Sequence, residues 1–281
     1  MKRFLISGLC AISLLTPVWA AETTKDMKAD HVIESFGSVS IDWSEGTIKV
    51  TGVGSPPDRG EAVQKRLMAE RMATADAFKQ LEKIIAEIRV NSETLVRDYT
   101  SESENLKTYV NALIKGAQKM DQRYLDDGSI EVDLTVKLYS NAGLSGVIQP
   151  QKHVVPPIPV SLKADDKADE YTGIIVDCRG LGLEPAMSPA ILSISGGELY
   201  LGELEIKPDF VINEGVVGYA HSLVQARQIK RVGLKPLVIK GLNATGTFST
   251  DVVVSEVDTK QLLSLNEKFK LLQDAKVVFV L

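Results

Sequence analysis

Three carboxylates in the C-terminal half are the first residues to weigh for chemistry. Asp177 ends the apolar run Thr172-Gly173-Ile174-Ile175-Val176-Asp177, and Glu256 and Asp258 follow a second run, Val252-Val253-Val254. Acids at the carboxyl ends of strands lie where open α/β sheets bind ligands. Asp177, Glu256 and Asp258 are therefore the candidate ligand-binding residues, and a hydrolase built on them is a further option. Each acid also has a plainer role. Asp177 could pair with Arg179 or Arg231, and Asp258 with Gln261 three residues on has the spacing of a helix capping box. No residue is assigned a catalytic role, and no cofactor is implied.

The remaining candidates are weaker. Gly180-Leu181-Gly182 follows a strand as a phosphate loop would, but Pro185 and Pro189 prevent the immediate helix whose N-terminus should hold the phosphate. Cys178 and His221 could act as nucleophile and base, yet nothing in the sequence places them together. A lone cysteine beside an apolar strand is normally buried filler. His31, His153 and His221 lack metal-ligand spacing, so no metal is expected. Arg227, Lys230 and Arg231 read as a solvated helix end.

The 281 residues suffice for one large or two ordinary domains, and 44% apolar with 25% charged residues is a globular composition. Lys2-Arg3, the apolar stretch Phe4 to Leu15, and Val18-Trp19-Ala20 form the pattern of a secretory signal over residues 1–20, cut after Ala20. Cys10 follows Leu9 rather than a small residue, so no lipid attachment is expected. Loss of the signal takes the net charge from −5 to −7, because it removes Lys2 and Arg3 and no acid. A mildly acidic exported protein is a poor candidate for nucleic acid. No transmembrane helix is expected in the mature chain. Cys178 is then its sole cysteine, which excludes an internal disulfide.

The elements that would position these residues fall in two groups. Val39, Ile41 and Trp43 alternate with polar residues as a strand, Glu45-Gly46 turns, and Ile48 and Val50 continue as a second strand. A long helix follows within Arg59 to Asp98. Leu67, Thr74, Phe78, Leu81, Ile85 and Ile88 form its apolar stripe, and Ala69, Ala73 and Ala77 a row small enough to approach a sheet closely. Ile88 to Tyr99 reads as extended. A second helix carries Leu106, Tyr109, Val110, Leu113 and Ile114 and stops at Gly116. Asp127-Gly128 then makes a hairpin turn into the alternating strand Ile130 to Leu138.

This succession is similar to a known module. The Ala-rich helix, Ile88-Arg89-Val90-Asn91-Ser92-Glu93-Thr94, the second helix, Gly116 and the Asp127-Gly128 hairpin resemble the Lpp-twenty family of bacterial envelope lipoproteins. They also resemble the N-terminal domain of flagellar assembly protein T. The resemblance spans roughly Gly37 to Tyr139 and rests on residue class rather than on invariant chemical groups. It implies a structural role in the periplasm or beside the outer membrane, and it supplies no catalytic residues. The chain departs from those lipoproteins in lacking their lipid-attachment motif.

Residues 147–170, with four prolines and the charged run Lys163 to Glu170, read as a linker. Beyond it, residues 171–281 read as a mixed α/β domain. Leu199-Tyr200-Leu201 and Leu237-Val238-Ile239 are strands, and Val216 to Gln228 a helix with Tyr219, Leu223 and Val224 inward. The chain closes as strand, helix and strand, the last two strands implying a right-handed parallel crossover.

The sequence thus predicts an α+β protein of two independently folding domains. The first, residues 37–146, has two helices on a mostly antiparallel sheet; the second ends in a β-α-β unit. The expected function is that of a non-enzymatic scaffold or assembly factor of the cell envelope, with the flagellum among the candidate settings. Its partners would be other envelope proteins or a second copy of itself, with peripheral outer-membrane contact. The alternative is a periplasmic ligand-binding protein using the strand ends near Asp177 and Asp258.

Overall fold

The computed structural model describes residues 31–148, 170–200 and 206–281. The expected signal peptide and nearly all of the expected linker lie outside the described residues.

The first domain opens with three strands, β1 (Ile33–Phe36), β2 (Val39–Asp42) and β3 (Thr47–Gly54). Helices α1 (Ala62–Ala86), α2 (Val96–Glu102) and α3 (Glu104–Lys115) follow, then the hairpin of β4 (Gln118–Tyr124) and β5 (Ile130–Lys137). The sheet runs β1-β2-β3-β5-β4 and every pairing is antiparallel.

Helix α1 lies against the sheet through its small residues. Ala69, Ala73, Ala77, Leu81 and Ile85 are buried at four-residue steps. Gly52 and Gly54 of β3 are what admit the helix backbone. A methyl carbon added to Gly52 would stand 2.2 Å from the Ala73 carbonyl oxygen, and one on Gly54 2.1 Å from that of Ala69. The expected apolar stripe is displaced accordingly: Leu67 is 51% exposed, because the alanine row takes the inward face.

The segment expected to be extended from Ile88 to Tyr99 is instead a loop and a helix. The Asn91 side-chain oxygen accepts from the Glu93 and Thr94 N–H groups, both at 2.9 Å, and from the Thr94 hydroxyl at 2.8 Å. That local turn competes with strand geometry. The chain then enters α2, where Asp98 accepts from the Leu95 N–H at 2.7 Å.

The second domain is a seven-stranded mixed sheet. Its strands are β6 (Gly173–Asp177), β7 (Ile191–Ser193), β8 (Glu198–Tyr200), β9 (Gly218–Ala220), β10 (Pro236–Thr245), β11 (Asp251–Val254) and β12 (Val277–Val280). Their order is β8-β7-β11-β10-β6-β12-β9. Helices α4 (Pro208–Glu214), α5 (Leu223–Gln228) and α6 (Glu256–Phe269) complete the domain. The helix expected from Val216 shrinks to α5. Gly215 takes a φ of 71°, Gly218 to Ala220 pair with β12, and Ser222 caps the helix by accepting from the Gln225 N–H. Val224, expected inward, is 69% exposed.

The chain does close as β11, α6 and β12, but without the parallel crossover. β10 is antiparallel to β11 and parallel to β6, which is parallel to β12. β11 and β12 therefore run in opposite directions, separated by two strands.

The two domains share one apolar core. Trp43 of the first, and Tyr219 and Phe279 of the second, belong to the same buried cluster. Backbone bonds cross the boundary from Met187 N–H to Arg89 O, Ser188 N–H to Val90 O and Phe248 N–H to Ser92 O, at 3.0, 2.8 and 3.1 Å. The Ser44 hydroxyl donates to Tyr219 O at 2.9 Å and that of Ser145 to Ile212 O at 2.6 Å. Tyr139 packs between glycines of both domains. A methyl carbon added to Gly46 would fall 2.6 Å from its ring, and one added to Gly215 2.5 Å. The described residues between His31 and Leu281 accordingly form one compact unit.

Candidate functional site

The concavity best suited to a ligand lies beside the boundary of the two domains, in the first. It encloses about 530 Å³, within the ~300–1,000 Å³ typical of ligand pockets. Its floor is the inner face of the β1–β2 ribbon. Register places Glu34 opposite Ile41 and Phe36 opposite Val39, and cross-strand partners share a face. Trp43 completes that floor. The C-terminal half of α1 contributes Gln80, Lys83 and Ile84, its C-cap Glu87, and the following loop Ile88, Arg89 and Leu95. Phe248, from the turn between β10 and β11, is the second domain's contribution.

This space exists because α1 covers the middle of the sheet and overhangs the ribbon only at its C-terminal end. Most of the lining is apolar, with one polar group on the floor. The Glu34 carboxylate accepts from the Trp43 indole N–H at 2.6 Å and pairs with Arg89. Arg89 also donates through Nε to Pro185 O at 2.7 Å, and Glu184 stands 3.6 Å from its Nη2. A carboxylate on the inner face of a sheet is tolerable because charge and hydrogen bonds satisfy it. At the rim, Glu87 is taken by Arg97 at 2.5 Å. Lys83 is exposed and has no ion-pair partner among the described residues.

Asp177, Glu256 and Asp258 do not line this cavity. Asp177 ends β6, and Arg179 grips its carboxylate through Nε at 2.8 Å and Nη2 at 2.7 Å. That pairing holds its pKa below the ordinary aspartate value. Asp258 sits in the first turn of α6. Its N–H donates to the Ser255 hydroxyl at 3.0 Å, which in turn donates to its carboxylate at 2.6 Å. The cap is thus Ser255 with Asp258, not Asp258 with Gln261. Glu256 is exposed, 3.6 Å from Lys260. Each acid is engaged by its own neighbours rather than by the other two.

Cys178 and His221 are not brought together as a reacting pair. The Cys178 thiol is buried and contacts Val176 O at 3.6 Å, and burial pushes its pKa up. The imidazole of His221 faces Leu281 O at 3.3 Å through Nδ1. Arg231, expected at a solvated helix end, instead spends Nη1 on the carbonyls of Gly215, Val216 and Ala275 at 3.0, 3.1 and 3.2 Å. Gly180 and Gly182 lie in a turn with positive φ and no helix follows. Among the described residues, no group of three or more His, Cys, Asp or Glu side chains is placed to hold a metal ion.

The outward face of the first sheet is polar, carrying Glu131, Asp133, Thr135 and Lys137 of β5, and its two acids pair with basic residues of the same face. Asp133 is fully buried there, receiving Arg123 at 2.8 and 2.9 Å, Lys49 at 2.8 Å and the Thr51 hydroxyl at 2.7 Å. Arg123 heads the causes that hold its carboxyl far below the usual range.

Fold and cavity define a mixed α/β protein of two domains, with a pocket walled almost wholly by the first. Its second half is similar to the family described as Treponema pallidum Tp0624, second domain, whose model matches residues 173–281. No curated protein matches the chain. Among the described residues no helix is long and apolar enough to cross a membrane.

The cavity residues were missed in the sequence because they are scattered over five segments. One signal was available: Glu34 and Phe36 lie two residues apart ahead of Val39, Ile41 and Trp43, the spacing of one strand face.

Proposed function

We propose that this protein is an exported, non-enzymatic scaffold or assembly factor of the bacterial cell envelope, acting in the periplasm or at the outer-membrane periphery. The observation that carries this is the shared core around Trp43, Tyr219 and Phe279. It fixes two sheets, and the surfaces they display, as one body. A rigid body with two presenting surfaces suits holding partners in register. The likeness of residues 37–139 to the Lpp-twenty and flagellar assembly protein T modules agrees with this role, and the signal-like first 20 residues agree with export. The engagement of Asp177, Asp258 and Cys178 by their own neighbours also fits a role in binding.

The contact surface is assigned to β1. It is an edge strand, and Ile33 on its outward face is 45% exposed. The opposite edge, β4, is interrupted by a bulge between Lys119 and Gln122 and carries charge, features that discourage pairing with another chain. Crosslinking of the full chain in its native host tests the assignment. Ile33→Lys should lose the crosslinked partner, while Asp177→Asn with Asp258→Asn should keep it. If the asparagine variant alone loses function while remaining folded, the carboxylates form a site and the scaffold role is wrong.

A further inference from the structure

The cavity beside the domain boundary has a property that scaffolding does not require: an apolar interior with unspent cationic capacity along it. Of the acids lining it, Glu34 is held by Arg89 and the Trp43 indole, and Glu87 by Arg97. Lys83 has no ion-pair partner among the described residues, and Nη1 of Arg89 donates to no protein acceptor there. Ile84, Val39 and Ile41 offer only hydrocarbon. An occupant complementary to these walls is apolar along its length and anionic at one end.

We propose that this cavity binds a single long-chain fatty acid, its hydrocarbon tail laid on the inner face of the β1–β2 ribbon and its carboxylate met by Lys83 and Arg89. The volume of about 530 Å³ suits one such molecule. A neutral apolar ligand would leave Lys83 unpaired, since Arg89 already holds Glu34. The inference is independent of the scaffold role, because the proposed partner surface is the outward face of β1 and the cavity lies on its inward face.

Trp43 is one of two tryptophans in the chain, the other being Trp19, so the full-length Trp19→Phe variant makes it the only indole. Titration with a brominated long-chain fatty acid should quench its fluorescence saturably. Shortening the acid by two methylenes should weaken binding about tenfold. Lys83→Glu should weaken the acid about fivefold and leave the alcohol of equal length unchanged. Ile84→Phe, which fills the cavity, should abolish quenching by both. The proposal is overturned by the absence of saturable quenching, by quenching that survives Ile84→Phe, or by an acid affinity indifferent to Lys83→Glu. Lys83 is exposed, so its substitution leaves a folded protein even if Ile84→Phe does not. Sedimentation with anionic phospholipid vesicles, without quenching by the monomeric acid, would assign the site to a membrane surface and also overturn it.

Discussion

Tyr219 of the second domain stands edge-on to Trp43 of the first, their ring centroids 6.0 Å apart and their planes at 70°. The Tyr219 hydroxyl is fully used. It donates to the Ala186 carbonyl at 2.7 Å and accepts from the Ala186 N–H at 2.9 Å. On its far side it meets Phe279 at 6.3 Å. One side chain therefore ties the first domain, the loop before β7 and strand β12 of the second sheet.

Truncating it should destabilise both domains together. Tyr219→Ala is expected to cost about 4 kcal/mol, and Tyr219→Phe about 1–2 kcal/mol for the lost hydroxyl bonds. Urea unfolding followed by Trp43 fluorescence and by far-ultraviolet circular dichroism should give coincident transitions in the parent protein. Two separated transitions would show that the domains unfold independently.

The fit of α1 on β3 is equally exposed to test. Gly52→Ala places a methyl carbon within 2.3 Å of the Ala77 nitrogen as well as against the Ala73 carbonyl. Backbone cannot yield as a flexible side chain would, so the loss should reach about 3 kcal/mol or more. The control, Gly180→Ala, meets open space, although its φ of 77° leaves it modestly strained. A thermal melt that scarcely moves for Gly52→Ala would mean that the helix can lift from the sheet at little cost.

Glu198 gives the fold a specific pH response. Burial first, and then the charge of Asp251, raise its pKa to about 7 from 4.5, and its Oε1 has no hydrogen-bond partner among the described residues. The folded protein thus holds a proton that the unfolded chain releases between those values. The associated stability is present below about pH 4.5 and is lost as pH rises through about 7. Because the group is only partly buried, the effect should be on the order of 1 kcal/mol. The urea midpoint should fall between about pH 5 and pH 8, and Glu198→Gln should flatten that dependence. An unchanged slope in the variant would assign the response to another group.

Much of the fold was legible because local pattern and tertiary role agree. The hairpin at Asp127-Gly128, the alternation of β5 and the alanine row of α1 each follow from one period or one turn. Illegible parts are those where distant segments decide. Leu67 belongs to a helical stripe in sequence, yet Gly52 and Gly54 draw the alanines inward instead. Tyr219 sits in a run that scans as helix, and only β12 beside it makes a strand. The antiparallel course of β11 relative to β12 depends on β10, which no feature between them reveals. The cavity depends on the ribbon reaching past the helix, a matter of relative placement that periodicity does not encode.

The 88–95 loop carries a consequence for how such a protein can be built from parts. Arg89 gives its carbonyl to Met187 and its Nε–H to Pro185 while its Nη2 holds Glu34; Val90 and Ser92 serve Ser188 and Phe248 in the same way. The first domain thus carries a fitted lock for one particular neighbour. Transplanted alone or onto a foreign second domain, it would expose unpaired carbonyls and an arginine beside its own cavity. Recombination of the two halves is therefore constrained to exchange this loop together with the strands that read it, so that lineages should inherit them as a single unit.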